Sequence, residues 1–243
     1  MKTYTAAQQR EAEQPYLADG IPLMQRASAA LAAETAALLV ARRGTVRGAG
    51  ILVLAGPGNN GGDALFAAAT LAAEGVRVTV APTARRMHEE GLAAAVAAGA
   101  RVLGPEESPA VVARAAASCD VILDGILGTG TSTDPALRGR AREVVAAILA
   151  VLHPGAAQAS DGTGREPVVV AVDLPSGVGV DDGAVPDPTV LPATVTVTFG
   201  GCKPGLLRRP AAGLAGRVVV ADIGIAPELE RIAARDRAAN LDG

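Results

Sequence analysis

Three stretches of the chain end in polar side chains that could act on one ligand: Asn59-Asn60-Gly61-Gly62-Asp63, Asp124, and Asp173 with Ser176. Each follows a short apolar run: Ile51 to Ala55, Asp120 to Asp124 (DVILD) and Val168 to Val172. Two carboxylates together with amide and hydroxyl oxygens suit an oxygen-loving cation. They equally suit acid–base work, because neighbouring carboxylates push each other's pKa values apart. Taken singly, each Asp could simply cap a helix or a turn.

The first stretch, ILVLAGPGNNGGD, also carries a glycine-rich turn. Glycine permits positive φ and a close approach of ligand to backbone. The Ala- and Leu-rich residues after it form good helix. The turn therefore places backbone N–H groups and a helix N-terminus where an anion could bind. Asn59 and Asn60 add amides that donate and accept; Asp63 could cap the helix or hold sugar hydroxyls. The spacing is not that of a GxGxxG dinucleotide turn, and no Gly-Lys-Ser/Thr follows, which excludes a P-loop. The loop from Gly125 to Gly139, GILGTGTSTDPALRG, lies beyond the carboxyl end of a strand, where ligands of open α/β sheets bind. Lys203 follows Gly200-Gly201 and could balance charge, contact phosphate or simply be solvated.

These groups must be positioned by alternating strands and helices. Strands are expected at 51–55, 76–81, 101–103, 120–124, 168–172, 195–199 and 217–221. Helices are expected at 85–98, 109–117 and 140–151, as well as in the Ala/Leu-rich stretch after Asp63. Short uninterrupted apolar runs are the mark of parallel strands buried on both faces. The pattern predicts an α/β fold: a three-layer α/β/α, Rossmann-like, mostly parallel sheet with right-handed crossovers. Two helices precede it, the first capped by Thr5 and ended by Gly20, the second from about Pro22 to Arg43. Arg26, Gln25 and Gln8 are weaker cleft candidates on them. One domain is expected over 1–243, with loop composition at 153–167 and no structural signal from Pro227, so that 228–243 reads as a flexible tail.

The chain is 49% hydrophobic and only 2% aromatic, so the core must be built from Ala, Val, Leu and Ile. A net charge of −3 gives no footprint for nucleic acid. No run of 18 apolar residues calls for a membrane span, and no signal peptide is visible. Cys119 and Cys202 lack metal-like spacing and read as reduced thiols of a cytoplasmic protein, with a minor reactive role open for Cys202. His88, in an expected helix, and His153, in an expected loop, read as solvent-facing.

In order, GPGNNGGD, VILDGILGTG, VVAVDLPSG and TVTFGGCKPGL resemble the NAD(P)H-hydrate epimerase family, the YjeF N-terminal domain type. GIPLMQRASAALA near the start and VVVADIGI near the end extend the resemblance over nearly the whole chain. It implies a Rossmann-like homodimer that interconverts the R and S forms of hydrated NADH and NADPH and binds one potassium ion. Carried over by position, it implies substrate contacts from Asn59, Asn60, Gly61, Gly62 and Asp63. Gly128, Thr129, Gly130, Thr131, Ser132, Thr133, Asp134 and Asp173 would complete them. It implies potassium ligation by Asn60, Asp124 and Ser176 with loop carbonyls. Proton transfer at the reacting oxygen is assigned to Asp173, whose pKa partial burial would raise. An ADP- or ATP-dependent dehydratase of the same substrate is the functional partner implied. Two departures stand out: Ala64 and Gly125 replace the family's usual Gly and Ala, and 131–134 is atypical. A non-catalytic scaffold of this domain type is the alternative, against which the chain keeps both Asp173 and NNGGD. An ordinary nicotinamide oxidoreductase would need GxGxxG and an acid after the second strand, where this chain has Pro82-Thr83.

Overall fold

The computed structural model describes residues 1–130, 134–152 and 166–239. Seven strands form one sheet: β1 (Gly50–Ala55), β2 (Arg77–Pro82), β3 (Arg101–Val102), β4 (Val121–Gly125), β5 (Val168–Val172), β6 (Val195–Phe199) and β7 (Arg217–Ala221). Their spatial order is β3-β2-β1-β4-β5-β6-β7. Every neighbouring pair is parallel, so the expected mostly parallel sheet is parallel throughout. The order reverses between β1 and β4, which opens a crevice beyond their carboxyl ends.

Helices cover both faces. On one lie α2 (Leu23–Arg43), α3 (Asn59–Ala73), α4 (Glu89–Ala97) and α7 (Ala226–Ala239), which share one hydrophobic core with Ile51, Val53 and Ala55 of β1. On the other, α5 (Pro109–Ala117) and α6 (Gly139–Leu152) pack on Leu52 and Leu54. The strict alternation of β1 between the two cores is the period-2 geometry of a strand buried on both sides.

The first helix, α1 (Ala6–Ala18), begins at a capping box: Thr5 Oγ1 accepts from Gln8 N, and Gln8 Oε1 accepts from Thr5 N. Buried Gln9 donates from Nε2 to Phe199 O and Gly201 O, which fixes α1 over the end of β6.

Three sequence expectations change. The helix after the glycine turn starts at Asn59, so NNGGD is its first turn and not the loop before it. The helix expected from Arg85 starts at Glu89; His88 is its N-cap, half-buried, with Nδ1 accepting from Gly91 N. The segment read as lacking structural signal is α7, which buries Leu229, Ile232 and Ala233. Its Asp236 accepts from Gln8 Nε2, and its Arg235 pairs with Glu11 of α1. His153 and residues 240–243 lie outside the described residues.

Candidate functional site

The β1–α3 junction is held by glycines that cannot be replaced without a collision. A Cβ on Gly56 would lie 1.9 Å from Ile126 O in the loop after β4, and one on Gly61 would lie 2.2 Å from Gly56 O. These contacts let the loops after β1 and β4 touch at the switch point. They also seat the first turn of α3 on both, overriding the poor helix propensity of two adjacent glycines.

Asn60, with only 9% of its surface exposed, ties three strand ends together. Its Nδ2 donates to Leu127 O (3.1 Å) beyond β4 and to Val172 O (2.5 Å) at the end of β5. Asp124 and Ser176 face each other beneath. Ser176 Oγ donates to Asp124 Oδ1 (2.7 Å), and Ser176 N donates to Asp124 Oδ2 (2.9 Å). Ser176 Oγ in turn accepts from Leu127 N (2.9 Å). Burial pushes the Asp124 carboxyl up, and the two bonds from Ser176 oppose that. The polar tips of the three strands thus form one connected cluster.

Asp173 has φ 69° among otherwise glycine-held left-handed positions. For a non-glycine residue this is uncommon and marks a functional site candidate. Its Oδ1 accepts from Lys203 Nζ (2.5 Å), Thr198 Oγ1 (2.9 Å) and Phe199 N (3.3 Å). Lys203 is 2% exposed and also donates to Phe199 O. The solvated reading of this lysine is therefore wrong: it is the buried counter-charge of Asp173. Buried ion pairs are costly to desolvate and persist where a polar arrangement has a role.

Two adjoining cavities open here. The larger, about 670 Å³, is lined by Pro57, Asn59, Thr83, Gly128, Gly130 and Asp134 among others. The smaller, about 160 Å³, reaches Asp63, Asp173 and Lys203, with Leu23, Met24 and Ala27 as its apolar wall. Glu13, Asn59, Asn60 and Thr129 line both. Asp63 is buried, and its Oδ1 has no partner among the described residues. Burial first, then the Asp173 and Glu13 carboxylates, push its carboxyl up to about 8, against a smaller pull from Lys203. Burial likewise raises Glu13.

The structure thus brings together Asn59, Asn60, Asp63, Asp173, Gly128, Thr129, Gly130 and Asp134 around one cleft, with Gly61 and Gly62 in the turn between. Asp124 and Ser176 lie under it and line neither cavity. Thr131, Ser132 and Thr133 lie outside the described residues. Gln8, Gln25 and Arg26 are not in the cleft; Arg26 instead donates to Ile223 O. Burial raises the Cys202 thiol and pushes Cys119 up to about 12, so neither is an activated nucleophile. Sequence reasoning missed Glu13 and Arg10, which α1 swings over the cleft; Arg10 Nη1 donates to Thr129 O across it. Their spacing of three residues on a polar helix gave only the signal that they share a face.

The two departures from the family pattern touch each other. A Cβ on Gly125 would lie 2.7 Å from Ala64 Cβ and 2.9 Å from Asn60 O. Space vacated at one position is filled from the other. Gly125→Ala should cost about 1–3 kcal/mol by overpacking, and Ala64→Gly in the same chain should return part of it. Urea unfolding of both single variants and the double tests this; strict additivity would contradict it.

The cleft now has its relatives. The family model for YjeF-related protein N-terminus matches residues 20–205. An NAD(P)H-hydrate epimerase of Clavibacter michiganensis subsp. michiganensis is 53% identical over 223 residues, covering 91% of this chain and 90% of that protein. The bifunctional NAD(P)H-hydrate repair enzyme Nnr of Mycobacterium tuberculosis is 39% identical over 220 residues, covering 89% of this chain but 40% of that protein. A crystal structure of yeast ynu0 superposes with a TM-score of 0.68 at 23% identity, covering 84% of this chain and 83% of the other, and supports the fold. The match over residues 20–205 and the identity across nine-tenths of the chain place this protein in the YjeF-related N-terminus family.

Proposed function

We infer that this chain is an NAD(P)H-hydrate epimerase, interconverting the R and S forms of hydrated NADH and NADPH. The observation that carries this is 53% identity to a protein of that name over 91% of the chain. The cleft agrees with it. The nicotinamide half enters the smaller cavity at Asp173, and the rest of the dinucleotide runs along the larger one. Its phosphates meet the N-terminus of α3, where backbone N–H groups are unpaired by the helix itself, and Arg10 faces the same space.

The hydrated ring carries a hydroxyl on a carbon bonded to nitrogen. Once the hydroxyl oxygen takes up a proton, the nitrogen lone pair can expel that hydroxyl as water, leaving a planar iminium, and water can return to the other face. Asp173 accepts a proton from the entering water. Lys203 and Thr198 donate to its Oδ1 and aim it.

Potassium belongs to this reading. Asn60 Oδ1, the Asp124 carboxylate, Ser176 Oγ and the Leu127 carbonyl, to which Asn60 Nδ2 now donates, are oxygens with a single carboxylate among them, which suits a weakly charged cation. A Cβ on Gly128 would sit 2.1 Å from Asn60 Oδ1, so the glycine keeps that amide oxygen accessible. Bound there, the ion would neutralise charge and brace the loops after β4 and β5. Replacing potassium with a bulky organic cation should raise KM several-fold and change kcat little; the reverse split would remove potassium from this structural role. A homodimer in the cytoplasm, acting with a dehydratase on the same substrate, completes the proposal; the bifunctional relative already joins repair activities in one chain. Among the described residues no helix is long and apolar enough to cross a membrane.

The decisive assay supplies the purified protein with an R/S mixture of hydrated NADH and an S-specific dehydratase. The slow phase of consumption, limited by spontaneous epimerisation, should disappear. Persistence of that phase at its spontaneous rate would refute the assignment.

A further inference from the structure

Inversion through a planar intermediate asks for two proton-transfer groups, one for the departing hydroxyl and one for the entering water. Only a pair in opposite protonation states can serve at once. The smaller cavity holds two buried carboxyls in unlike surroundings. Asp173 Oδ1 accepts from three donors, one of them the Lys203 ammonium, with which it forms a buried ion pair. Asp63 Oδ1 accepts from none and is sealed from solvent. Glu13 of α1 lines both cavities and so connects Asp63 to the open side.

We propose, building on the epimerase reading, that Asp63 is the proton donor to the departing hydroxyl, opposite Asp173 as acceptor, and that Glu13 exchanges its proton with solvent. In one direction, the Asp63 acid gives its proton to the hydroxyl oxygen. The C–O bond breaks, and its electron pair leaves with the new water. The ring nitrogen lone pair becomes the second bond of C=N⁺. A solvent water then bonds to the carbon from the other face and loses a proton to Asp173, and the π pair returns to nitrogen. One water leaves and one enters. The chain is left with an Asp63 carboxylate and an Asp173 acid, the state that runs the opposite epimer backwards. Release of the Asp173 proton to a cleft water and uptake of one proton by Asp63 through Glu13 restore the first state.

The surroundings of Asp63 agree. Glu13 and Arg10 face this region from α1, Asp173 and Lys203 from the ends of β5 and β6, and His88 from the cap of α4 packs beside Gly62. Burial and the two carboxylates outweigh the pull of Lys203 and push the Asp63 carboxyl up to about 8, which favours its protonated form at neutral pH.

The test follows epimerisation from pH 5.5 to 9.5 in wild type, Asp63→Asn and Glu13→Gln, each verified as folded by circular dichroism. Wild type should lose rate on the alkaline side, around pH 8. Asp63→Asn should fall about 100-fold or more in kcat, with KM changed far less, and should lack the alkaline limb. Glu13→Gln should move that limb to lower pH, because losing a neighbouring negative charge eases ionisation of Asp63. An active wild type whose Asp63→Asn form keeps its kcat, or loses only KM, overturns the donor role while the epimerase reading stands. An unmoved limb in Glu13→Gln overturns the link to Glu13. A wild type no faster than the spontaneous reaction sinks the epimerase reading and this role together.

Discussion

Asp173→Asn should lower the epimerisation rate about 100- to 10,000-fold, the range that loss of a positioned proton-transfer group commands. The substitution suits the backbone, since Asn is among the few side chains that tolerate the φ of 69° found there. It does not suit Lys203. That ammonium is 2% exposed and has Asp173 as its only carboxylate partner among the described residues. Stripped of its counter-charge, a buried ammonium destabilises a fold by roughly 3–5 kcal/mol. In a chain of this size that lowers the melting temperature by roughly 10 °C. A loss of activity in the single variant would therefore mix chemistry with stability. Asp173→Asn combined with Lys203→Met separates them, because removing both partners leaves no uncompensated charge. The double variant should regain most of the melting temperature and none of the rate. Recovery of rate along with stability would show that Asp173 supports the fold and does not touch the chemistry; full activity in the single variant would remove it from the mechanism altogether.

The frame of this site was legible because parallel strands advertise themselves. Ile51–Ala55, Val121–Leu123 and Val168–Val172 are apolar runs too short for helices, the last two ending at Asp124 and Asp173 and the first in the glycine turn before Asn59 and Asn60. With right-handed crossovers their tips must share one edge. What stayed hidden was set by contacts distant in sequence. Lys203 sits in a glycine-rich stretch that reads as exposed, and its partner lies thirty residues earlier. Glu13 and Arg10 look like the outer face of a polar helix. Only the docking of α1 through Gln9 onto Phe199 O and Gly201 O turns that face inward. Asn59 to Asp63 reads as a turn because adjacent glycines disfavour helix. Packing of Gly61 on the β1 turn reverses that preference. In α7 the charged residues Glu228, Glu230, Arg231, Arg235 and Asp236 masked the spacing of Leu229, Ile232 and Ala233; in the fold α1 supplies partners to Arg235 and Asp236. The reaction itself came from resemblance, since no residue spacing distinguishes a hydrated nicotinamide from other dinucleotides.

Asp63→Asn should make the protein more stable above neutral pH and less stable near pH 4, so that the two stability curves cross. A carboxyl whose ordinary value is 3.8 stands at about 8 in the folded chain. Below pH 4 both folded and unfolded states hold the proton, and ionisation contributes nothing to the comparison. Between pH 4 and pH 8 the unfolded chain releases the proton while the folded chain keeps it. Wild-type stability then falls with pH at about 1.4 kcal/mol per unit. By pH 7 the accumulated loss is roughly 4 kcal/mol, and it levels off above pH 8 at roughly 6 kcal/mol. Asparagine does not titrate and escapes this loss. It introduces instead an amide at a buried position where Asp63 Oδ1 has no partner. An unsatisfied polar group of that kind costs about 1–3 kcal/mol at every pH. The amide cost prevails in acid and the ionisation loss prevails in base, so the sign changes between them. Urea unfolding of both proteins at pH 4, 7 and 9 measures the difference directly. Curves that run parallel would mean that Asp63 ionises as readily in the folded chain as in the unfolded one. If the curves cross, the desolvation that destabilises the wild type in base is also what keeps a proton on Asp63 where a hydroxyl has to leave, and stability is given up at this position for reactivity.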